Sequence, residues 1–200
     1  DYGLYGYALS RFAGVWVGLK TMKDTIEVTS VVDGSLDRVS FLTPDFDMPE
    51  GGLNIRLIDT PPAQEARMFD HKRAAAQAFA RVNRMDQRKL GHAGARIGVV
   101  AAGKNWLDVQ HAFDLLGIDE CEAQRLGITA YKVGQTWPLD TISLKEWAGG
   151  LDLIIVVEEK RKLLEPQIKD PDTAEILDAP GAGAGSAFRL LPARMSSERA

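Results

Sequence analysis

Three consecutive residues, Gly103, Lys104 and Asn105, are of the types that hold an anion where a strand turns into a helix. They follow an apolar run and precede a helical pattern, so helix N–H groups and a lysine ammonium would both attract a phosphate or a carboxylate. Neither a GxGxxG nor a GxxxxGKS/T motif is present. We therefore favour the alternative, in which the glycine makes a turn, the asparagine caps the helix and the lysine pairs with Glu158 or Glu159.

Two further candidates lie near the ends of predicted strands. Trp137, in the loop at 134–139, would either cover a ligand or pack under a neighbouring domain, and we favour packing. Glu158 and Glu159 would support acid–base chemistry if one carboxyl group were buried. Successive strand residues point to opposite faces, which favours a solvated strand end or an interdomain ion pair for the two glutamates.

Residues that ligate metals or act as nucleophiles are few. His71, His92 and His111 have no second histidine or cysteine at metal-ligand spacing, so we predict surface or interface roles for them. The single cysteine, Cys121, is predicted to be half-buried and cannot alone hold an iron–sulfur cluster or a structural zinc. GxSxG and HExxH motifs are absent. The residue chemistry by itself therefore predicts a docking or ligand-binding module without a self-contained active site.

The composition excludes several classes of protein. Of the 200 residues, 45% are apolar and 26% are charged, which is ordinary for a soluble globular protein. The net charge of −4 gives no electrostatic reason to expect nucleic acid or an anionic membrane as a partner. One cysteine fits a reducing compartment, and no apolar segment is long enough to span a bilayer. Because the chain opens in a helical pattern without a methionine, we expect it to be part of a longer polypeptide.

Helical and alternating patterns divide the first 92 residues. An apolar stripe at spacings of three and four predicts a helix over residues 1–20. Thr60 and Pro61 predict the start of a helix that continues to about residue 85. A polar, glycine-containing stretch follows and predicts a linker, with a domain boundary near residue 92. Between the two helices, three segments predict strands: 25–34, 37–44 and 53–59.

Strands and capped helices alternate more clearly beyond the linker. Helix starts are predicted at Asn105, Asp119 and Ser143, each with an acidic residue three positions later. Short loops between the elements argue for parallel strands joined by right-handed crossovers. The chain from 170 to 200 is rich in Ala, Gly, Pro, Ser and Arg and is predicted to be disordered or a loosely attached arm. Three strands are predicted in this part: 96–101, 128–133 and 151–157.

Several separate segments of the chain, in the same order, resemble the fused indolepyruvate ferredoxin oxidoreductases of bacteria, a branch of the 2-oxoacid:ferredoxin oxidoreductases. The likeness runs from Asp1 to about Lys169, and the chain is similar to an internal fragment of such an enzyme. The tail after Asp170 departs from the family. The segments are DYGLYGYALSRFAGVWVGLKT, GGLNIRLIDTP, ARIGVVAAGKNWLDV, LGITAYKVGQTWPL and LIIVVEEKR.

The resemblance implies an α/β fold in three parts. Residues 93–169 would form a three-layer parallel-sheet domain similar to the C-terminal domain of transketolases. Residues 1–92 would supply helix and strand segments from the end of a domain that binds the thiamine pyrimidine, together with a linker. Residues 170–200 would be a disordered, low-complexity tail.

The resemblance also implies an activity for the longer enzyme. Thiamine diphosphate, magnesium and 4Fe–4S clusters would serve the oxidative decarboxylation of indolepyruvate or another arylpyruvate, with ferredoxin as electron acceptor and coenzyme A as acyl acceptor. No catalytic residue of the family maps onto this chain, so the segment alone would be inactive, hold none of these cofactors and have a structural or docking role. Gly103, Lys104 and Asn105 remain candidates for a coenzyme A contact.

The implied setting is a cytoplasmic homodimer that contains the remainder of the polypeptide and reacts with ferredoxin and coenzyme A, without nucleic acid or membrane. Two alternatives stay open. One is a stand-alone αβ module that binds a nucleotide or an acyl-CoA at the Gly103 edge. The other is an oligomerisation domain that uses only the apolar stripe of the first helix and the sheet edges.

Overall fold

A computed structural model describes residues 1–159 and 161–169, together with the backbone of 186–189. The chain divides into two compact units, Asp1–Arg84 and Met85–Ala200, ahead of the boundary predicted near residue 92. Among the described residues, no helix is both long and apolar enough to cross a membrane.

The unit Asp1–Arg84 is helical. Helix α1 packs against α4, and their aromatic side chains form its core: the Tyr5 and Phe79 rings lie 5.4 Å apart, and the Phe12 and Phe79 rings 5.5 Å apart. A 3-10 turn spans Leu36–Arg38, and a π-helical turn at Met68–Lys72 joins α3 to α4. The α-helices are α1 (Tyr2–Ala13), α2 (Lys23–Ile26), α3 (Pro61–Arg67) and α4 (Arg73–Val82).

The first helix is shorter than predicted. It ends because Gly14 adopts a left-handed conformation with φ of 63°, a common helix terminator. A Cβ atom at this position would overlap the Leu53 carbonyl group, so only glycine fits there. The predicted continuation to residue 20 is therefore wrong, and Trp16 and Leu19 of the expected stripe are exposed.

The three strands predicted at 25–34, 37–44 and 53–59 are also wrong. The described backbone between residues 25 and 59 contains no strand; α2 and the 3-10 turn are its regular elements. A strand needs a neighbour for its backbone hydrogen bonds and a surface for its apolar side chains. Val31 and Leu57, which carried the strand pattern, are fully exposed in this unit.

The predicted helix after Thr60 is confirmed, although its buried face is divided. Thr60 is the N-cap and Pro61 the first helical residue, as expected. The π-helical turn inserts one extra residue and so rotates the side chains that follow it. The face predicted as one stripe is therefore divided: Ala76 and Phe79 after the turn are buried as predicted, whereas Phe69 within it is 57% exposed. The Lys72 side chain is buried instead and donates a hydrogen bond to the Gly14 carbonyl oxygen at 2.7 Å.

The unit Met85–Ala200 is an α/β sheet domain. Its strands are β1 (Gln87–Leu90), β2 (Ile97–Ala102), β3 (Ile128–Val133), β4 (Leu153–Val157) and β5 (Ser186–Arg189), in the order β1-β3-β2-β4-β5. Strand β2 runs parallel to β3 and β4, which confirms the predicted parallel arrangement. The outer strands β1 and β5 are antiparallel to their neighbours, so the complete sheet is mixed. Its helices are α5 (Gly103–Leu116), α6 (Glu120–Leu126), α7 (Thr141–Ala148) and α8 (Leu164–Lys169).

Helices cover both faces of the sheet, which gives the predicted three layers. Val100 and its neighbours on one face pack with residues of α7 and α8, including Trp147. Ala101, which points to the other face, packs with Trp106 and Val109 of α5. The inner face predicted for α5 is correct at Val109 and at Phe113, which packs partly buried against the same cluster, but Ala112 and Leu116 are exposed because the helix buries a narrower stripe.

Several local predictions for this unit have clear outcomes. Asp119 caps α6, since its Oδ1 accepts the Glu122 N–H at 2.8 Å, as predicted. The cap predicted at Ser143 is wrong, because α7 begins at Thr141 with Asp140 as N-cap. Strand β1 lies inside the stretch predicted to be a linker. The tail predicted to be disordered falls outside the described residues, except for β5.

Candidate anion-binding edge of the sheet

The carboxyl ends of the three parallel strands meet at one edge of the sheet. In the strand registers, Ala102 at the end of β2 pairs with Val133 of β3, and Ala101 pairs with Val157 of β4. The residues that follow these strands therefore begin on the same edge, where open parallel sheets bind their ligands. Three sequence-predicted candidates come together here: the start of α5, the loop after β3 and the residues after β4.

Gly103 is the first residue of α5 and has a φ of 53°, which few residues other than glycine adopt. Apart from its chain neighbours and the backbone of its own helix, a Cβ atom at this position would meet no atom within 4 Å, so the helix start borders open space. The first N–H groups of a helix have no carbonyl partner within the helix. Gly103 thus provides the exposed helix start that an anion site requires.

Asn105 does not have its predicted role as the helix cap. The N-cap of α5 is Ala102, and its side chain makes no capping hydrogen bond. The Asn105 side-chain amide donates to the carbonyl oxygen of Val157 at 3.4 Å. This contact ties the start of α5 to the end of β4, so Asn105 holds the helix in place instead of closing its N-terminus.

Lys104 forms an ion pair within its own helix. Its ammonium nitrogen lies 2.8 Å from Oδ2 and 3.0 Å from Oδ1 of Asp108, one turn further on. The sequence predicted either an anion or Glu158 or Glu159 as the partner of Lys104, and it placed Asp108 in a capping box with Asn105. Both side chains are partly exposed, at 31% and 55%, so the ion pair is accessible from solvent. An arriving anion would compete with Asp108 for the ammonium group.

Glu158 stabilises the start of helix α8. Its Oε1 accepts the N–H groups of Leu163 at 2.8 Å and Leu164 at 2.7 Å, and its Oε2 accepts that of Glu165 at 3.1 Å. A carboxylate at a helix N-terminus is favoured by both the hydrogen bonds and the helix dipole. The solvated strand end predicted for the two glutamates is therefore wrong for Glu158, which caps a helix, whereas Glu159 is exposed.

The loop after β3 is anchored by side-chain amides. The Gln135 side chain, which is buried, donates to the Pro138 carbonyl oxygen at 2.8 Å. Gln167 of α8 donates to the Thr136 carbonyl oxygen at 2.9 Å and accepts the Leu139 N–H at 3.0 Å. These bonds fix the backbone on either side of Trp137, whose side chain is 57% exposed. Whether Trp137 covers a ligand or packs under a neighbour stays a prediction.

A buried polar cluster at the same edge was missed in the sequence. Asp86, directly before β1, is 8% exposed, and its Oδ1 accepts the N–H groups of Gly134 at 2.7 Å and Gln135 at 3.1 Å. Asp140 and Tyr131 complete the cluster and are 1% and 3% exposed. Asp86 fell in the polar stretch predicted to be a linker. Burial was hidden there because β1, an edge strand with the sequence QRKL, has no apolar run.

Burial dominates the electrostatics of this cluster. Desolvation raises the pKa of Asp86 to about 6, although the backbone N–H groups of Gln135, Gly134 and Asp140 oppose the shift. The nearby Asp140 carboxylate raises it further. Desolvation also raises the pKa of the Tyr131 hydroxyl group, and the charges of Asp86 and Asp140 act in the same direction.

The described residues do not fit a resident metal centre. Among them, no group of three or more His, Cys, Asp or Glu side chains is placed to hold a metal ion. The one cysteine of the chain cannot supply the several thiolates of an iron–sulfur cluster. Cys121 is exposed, so the half-buried position predicted for it is wrong: the short helix α6 buries Ala123 and turns Cys121 to solvent.

The chain was compared with curated proteins, with solved structures and with protein-family models. A comparison with curated proteins finds no match. Among solved structures, the chain is similar to a 2-oxoglutarate:ferredoxin oxidoreductase from Magnetococcus marinus, determined with 2-oxoglutarate, coenzyme A and succinyl-CoA bound. The similarity has 14% sequence identity and a TM-score of 0.44, and covers 78% of this chain and 25% of that chain. The chain thus spans about a quarter of the length of that relative.

A comparison with protein-family models finds one for the indolepyruvate oxidoreductase domain, which matches residues 87–178. The matched segment begins at β1 and includes all three parallel strands, the anion-binding edge and the buried cluster apart from Asp86. Residues 87–178 thus match the indolepyruvate oxidoreductase domain family, which confirms the resemblance predicted from the sequence for this part of the chain.

Proposed function

We propose that this chain is a segment of a 2-oxoacid:ferredoxin oxidoreductase that converts indolepyruvate or a related arylpyruvate to its acyl-CoA. The observation that carries the proposal is the family match over residues 87–178. Thiamine diphosphate, magnesium and the 4Fe–4S clusters would reside in other parts of the polypeptide, which would act as a cytoplasmic homodimer.

Within that enzyme, the segment would have a structural and docking role. The exposed apolar side chains in the unit Asp1–Arg84 support this role, since Trp16, Val31 and Leu57 are fully exposed in the chain taken alone. Large apolar side chains exposed in such number are characteristic of surfaces that other protein segments cover. The remainder of the same polypeptide would supply that cover.

Coenzyme A is the ligand that we assign to the edge formed by Gly103, Lys104 and Asn105. Its phosphate groups would lie in the open space beside Gly103, near the first N–H groups of α5. Lys104 would turn from Asp108 to a phosphate oxygen, and Asn105 would keep the helix start fixed on β4. These residues would bind and orient the carrier and would take no part in bond making.

The activity is tested with the polypeptide that joins this chain to its remaining segments. Ferredoxin reduction is measured with indolepyruvate, phenylpyruvate and 2-oxoglutarate in turn, with and without coenzyme A. We expect the highest kcat/KM for indolepyruvate, and no turnover by the 200-residue chain alone. A preference for 2-oxoglutarate would overturn the substrate assignment, and turnover by the isolated chain would overturn the docking role.

A stand-alone module that binds an acyl-CoA or a nucleotide is the second candidate function. The open helix start at Gly103, beside an accessible lysine, is the observation that favours it. Calorimetry of the chain with coenzyme A and with adenosine diphosphate separates the candidates. Micromolar binding of either ligand by the isolated chain favours the stand-alone module. Absence of heat favours the segment of a larger enzyme, in which other parts of the polypeptide complete the site.

A further inference from the structure

Asp86 connects the start of β1 to the loop at 134–140. Its Oδ1 accepts the Gly134 and Gln135 N–H groups, at 2.7 and 3.1 Å, immediately after the end of β3. The same loop ends at Asp140, the N-cap of α7. The buried Asp86 carboxyl group therefore fixes the backbone at the point where the loop leaves β3. The other end of the same short loop leads directly into α7, which covers one face of the sheet.

The second oxygen of Asp86 is in a different environment. Oδ2 is buried and has no hydrogen-bond partner among the described residues. A charged carboxylate distributes its charge over both oxygens, so ionisation places part of a negative charge on a desolvated atom. In the neutral form that oxygen carries the proton and the cost of burial is far smaller.

The backbone N–H groups of Gly134, Gln135 and Asp140 favour a negative charge on Asp86, but burial outweighs them and the neighbouring acids add to the penalty. Asp140, at the end of the loop, is a buried carboxyl group whose charge repels that of Asp86. Tyr131 on β3 is buried beside both of them, and Glu146 on α7 adds a negative charge near Tyr131. Arg88 on β1 is the opposing positive charge, and it acts on Tyr131. The cluster is thus rich in acids and poor in cations.

We propose that Asp86 is a proton-operated latch: its neutral carboxyl group holds the loop at 134–140 closed against the start of β1, and its ionisation releases that loop. The loop carries Trp137 at the same sheet edge as Gly103 and Lys104, so its release changes the surface beside the candidate anion site. The pKa of about 6 places the change near neutral pH. The latch does not depend on what the chain binds or on the enzyme to which it belongs.

The test is a pH titration of the 200-residue chain by nuclear magnetic resonance between pH 4.5 and 7.5. We expect the Gly134 and Gln135 amide resonances to titrate together with a midpoint of about 6. Hydrogen-exchange protection of both amides, corrected for the intrinsic exchange rate, should fall by up to about 25-fold over the range, because the loop opens as Asp86 ionises.

Asp86→Asn keeps an oxygen that accepts both N–H groups but cannot ionise. The Gly134 and Gln135 amide resonances of this variant should therefore show no titration. Asp114→Asn, on the exposed side of α5, is the matched control and should titrate like the unmodified chain. The latch is overturned if the unmodified chain shows no titration at Gly134 and Gln135, or if Asp86→Asn retains it. If Asp86→Asn does not fold, Asp140→Asn decides: loss of the neighbouring charge must lower the midpoint, and an unchanged midpoint overturns the proposal.

Discussion

Lys104 and Asp108 face each other across one turn of α5, with the ammonium nitrogen 2.8 Å from the nearer carboxylate oxygen. The pair lies at the helix start where the three parallel strands end, and it is partly exposed. A solvent-exposed pair of this kind contributes about 0.5 kcal/mol, which a phosphate at the same ammonium group would exceed. Asp108 is therefore a replaceable partner and a competitor for any anion that binds here.

Substitutions in this pair should change coenzyme A affinity in opposite directions. Lys104→Ala removes the cation and should weaken binding by about tenfold, which corresponds to roughly 1.4 kcal/mol. Asp108→Asn removes the competing charge and should strengthen binding by a few-fold. Isothermal calorimetry at low salt measures both effects in whichever form of the protein binds coenzyme A. Lys89→Ala, on the exposed side of β1, is the control; equal affinities in Lys104→Ala and Lys89→Ala would remove Lys104 from the site.

The sheet domain could be predicted because local signals agree with the tertiary structure. Strand β3 was placed at residues 128–133, and Gly117 and Gly127 end α5 and α6 in left-handed conformations, as their positions indicated. An apolar run bounded by glycine turns favours a buried strand both locally and in the complete fold, so the local pattern is enough to predict it. Strand β1 could not be found in this way, because an edge strand of charged residues depends on its partner β3 for its conformation.

The first unit was predicted poorly for a different physical reason. Val31 and Leu57 gave an apolar, β-branched pattern typical of strands, but a strand forms only where another strand is available to pair with it. The π-helical turn at Met68–Lys72 likewise left no signal in the helical periodicity. At the candidate site, residue types indicated the position of Lys104, but its partner Asp108 was decided by side-chain geometry.

Gly98 should tolerate no side chain. A Cβ atom there would lie 2.5 Å from the Trp147 ring and 2.6 Å from Leu151 Cδ1, in the packed layer between β2 and α7. Gly98→Ala should lower the free energy of unfolding by about 1–3 kcal/mol, because the tryptophan must move and weaken its hydrogen bond to Thr129. Urea unfolding followed by circular dichroism measures the change. Gly149→Ala, where the nearest atom is 3.5 Å away, should change stability by less than about 0.5 kcal/mol.

Glu158 should contribute more to stability than its neighbour Glu159. Glu158→Ala removes the acceptor of three N–H groups at the start of α8 and should cost about 2 kcal/mol of unfolding free energy. Glu158→Gln keeps one acceptor oxygen and should lose roughly half as much. Urea unfolding of both variants, with Glu159→Ala as the exposed control, gives the comparison. Equal losses for the two alanine variants would contradict the capping role.

Asp86 should make the stability of the sheet domain fall as the pH rises from 4 to 7. Burial raises its pKa to about 6 from the usual 3.8, so between these values the folded state keeps a proton that the unfolded state has released. The stabilising contribution is complete below pH 4 and is lost as the pH passes 6. The loss is on the order of 3 kcal/mol. Unfolding free energies from urea titrations at intervals of half a pH unit measure the slope. Asp86→Asn should flatten this part of the profile, and an equally steep decline in Asp86→Asn would assign the pH dependence to other groups.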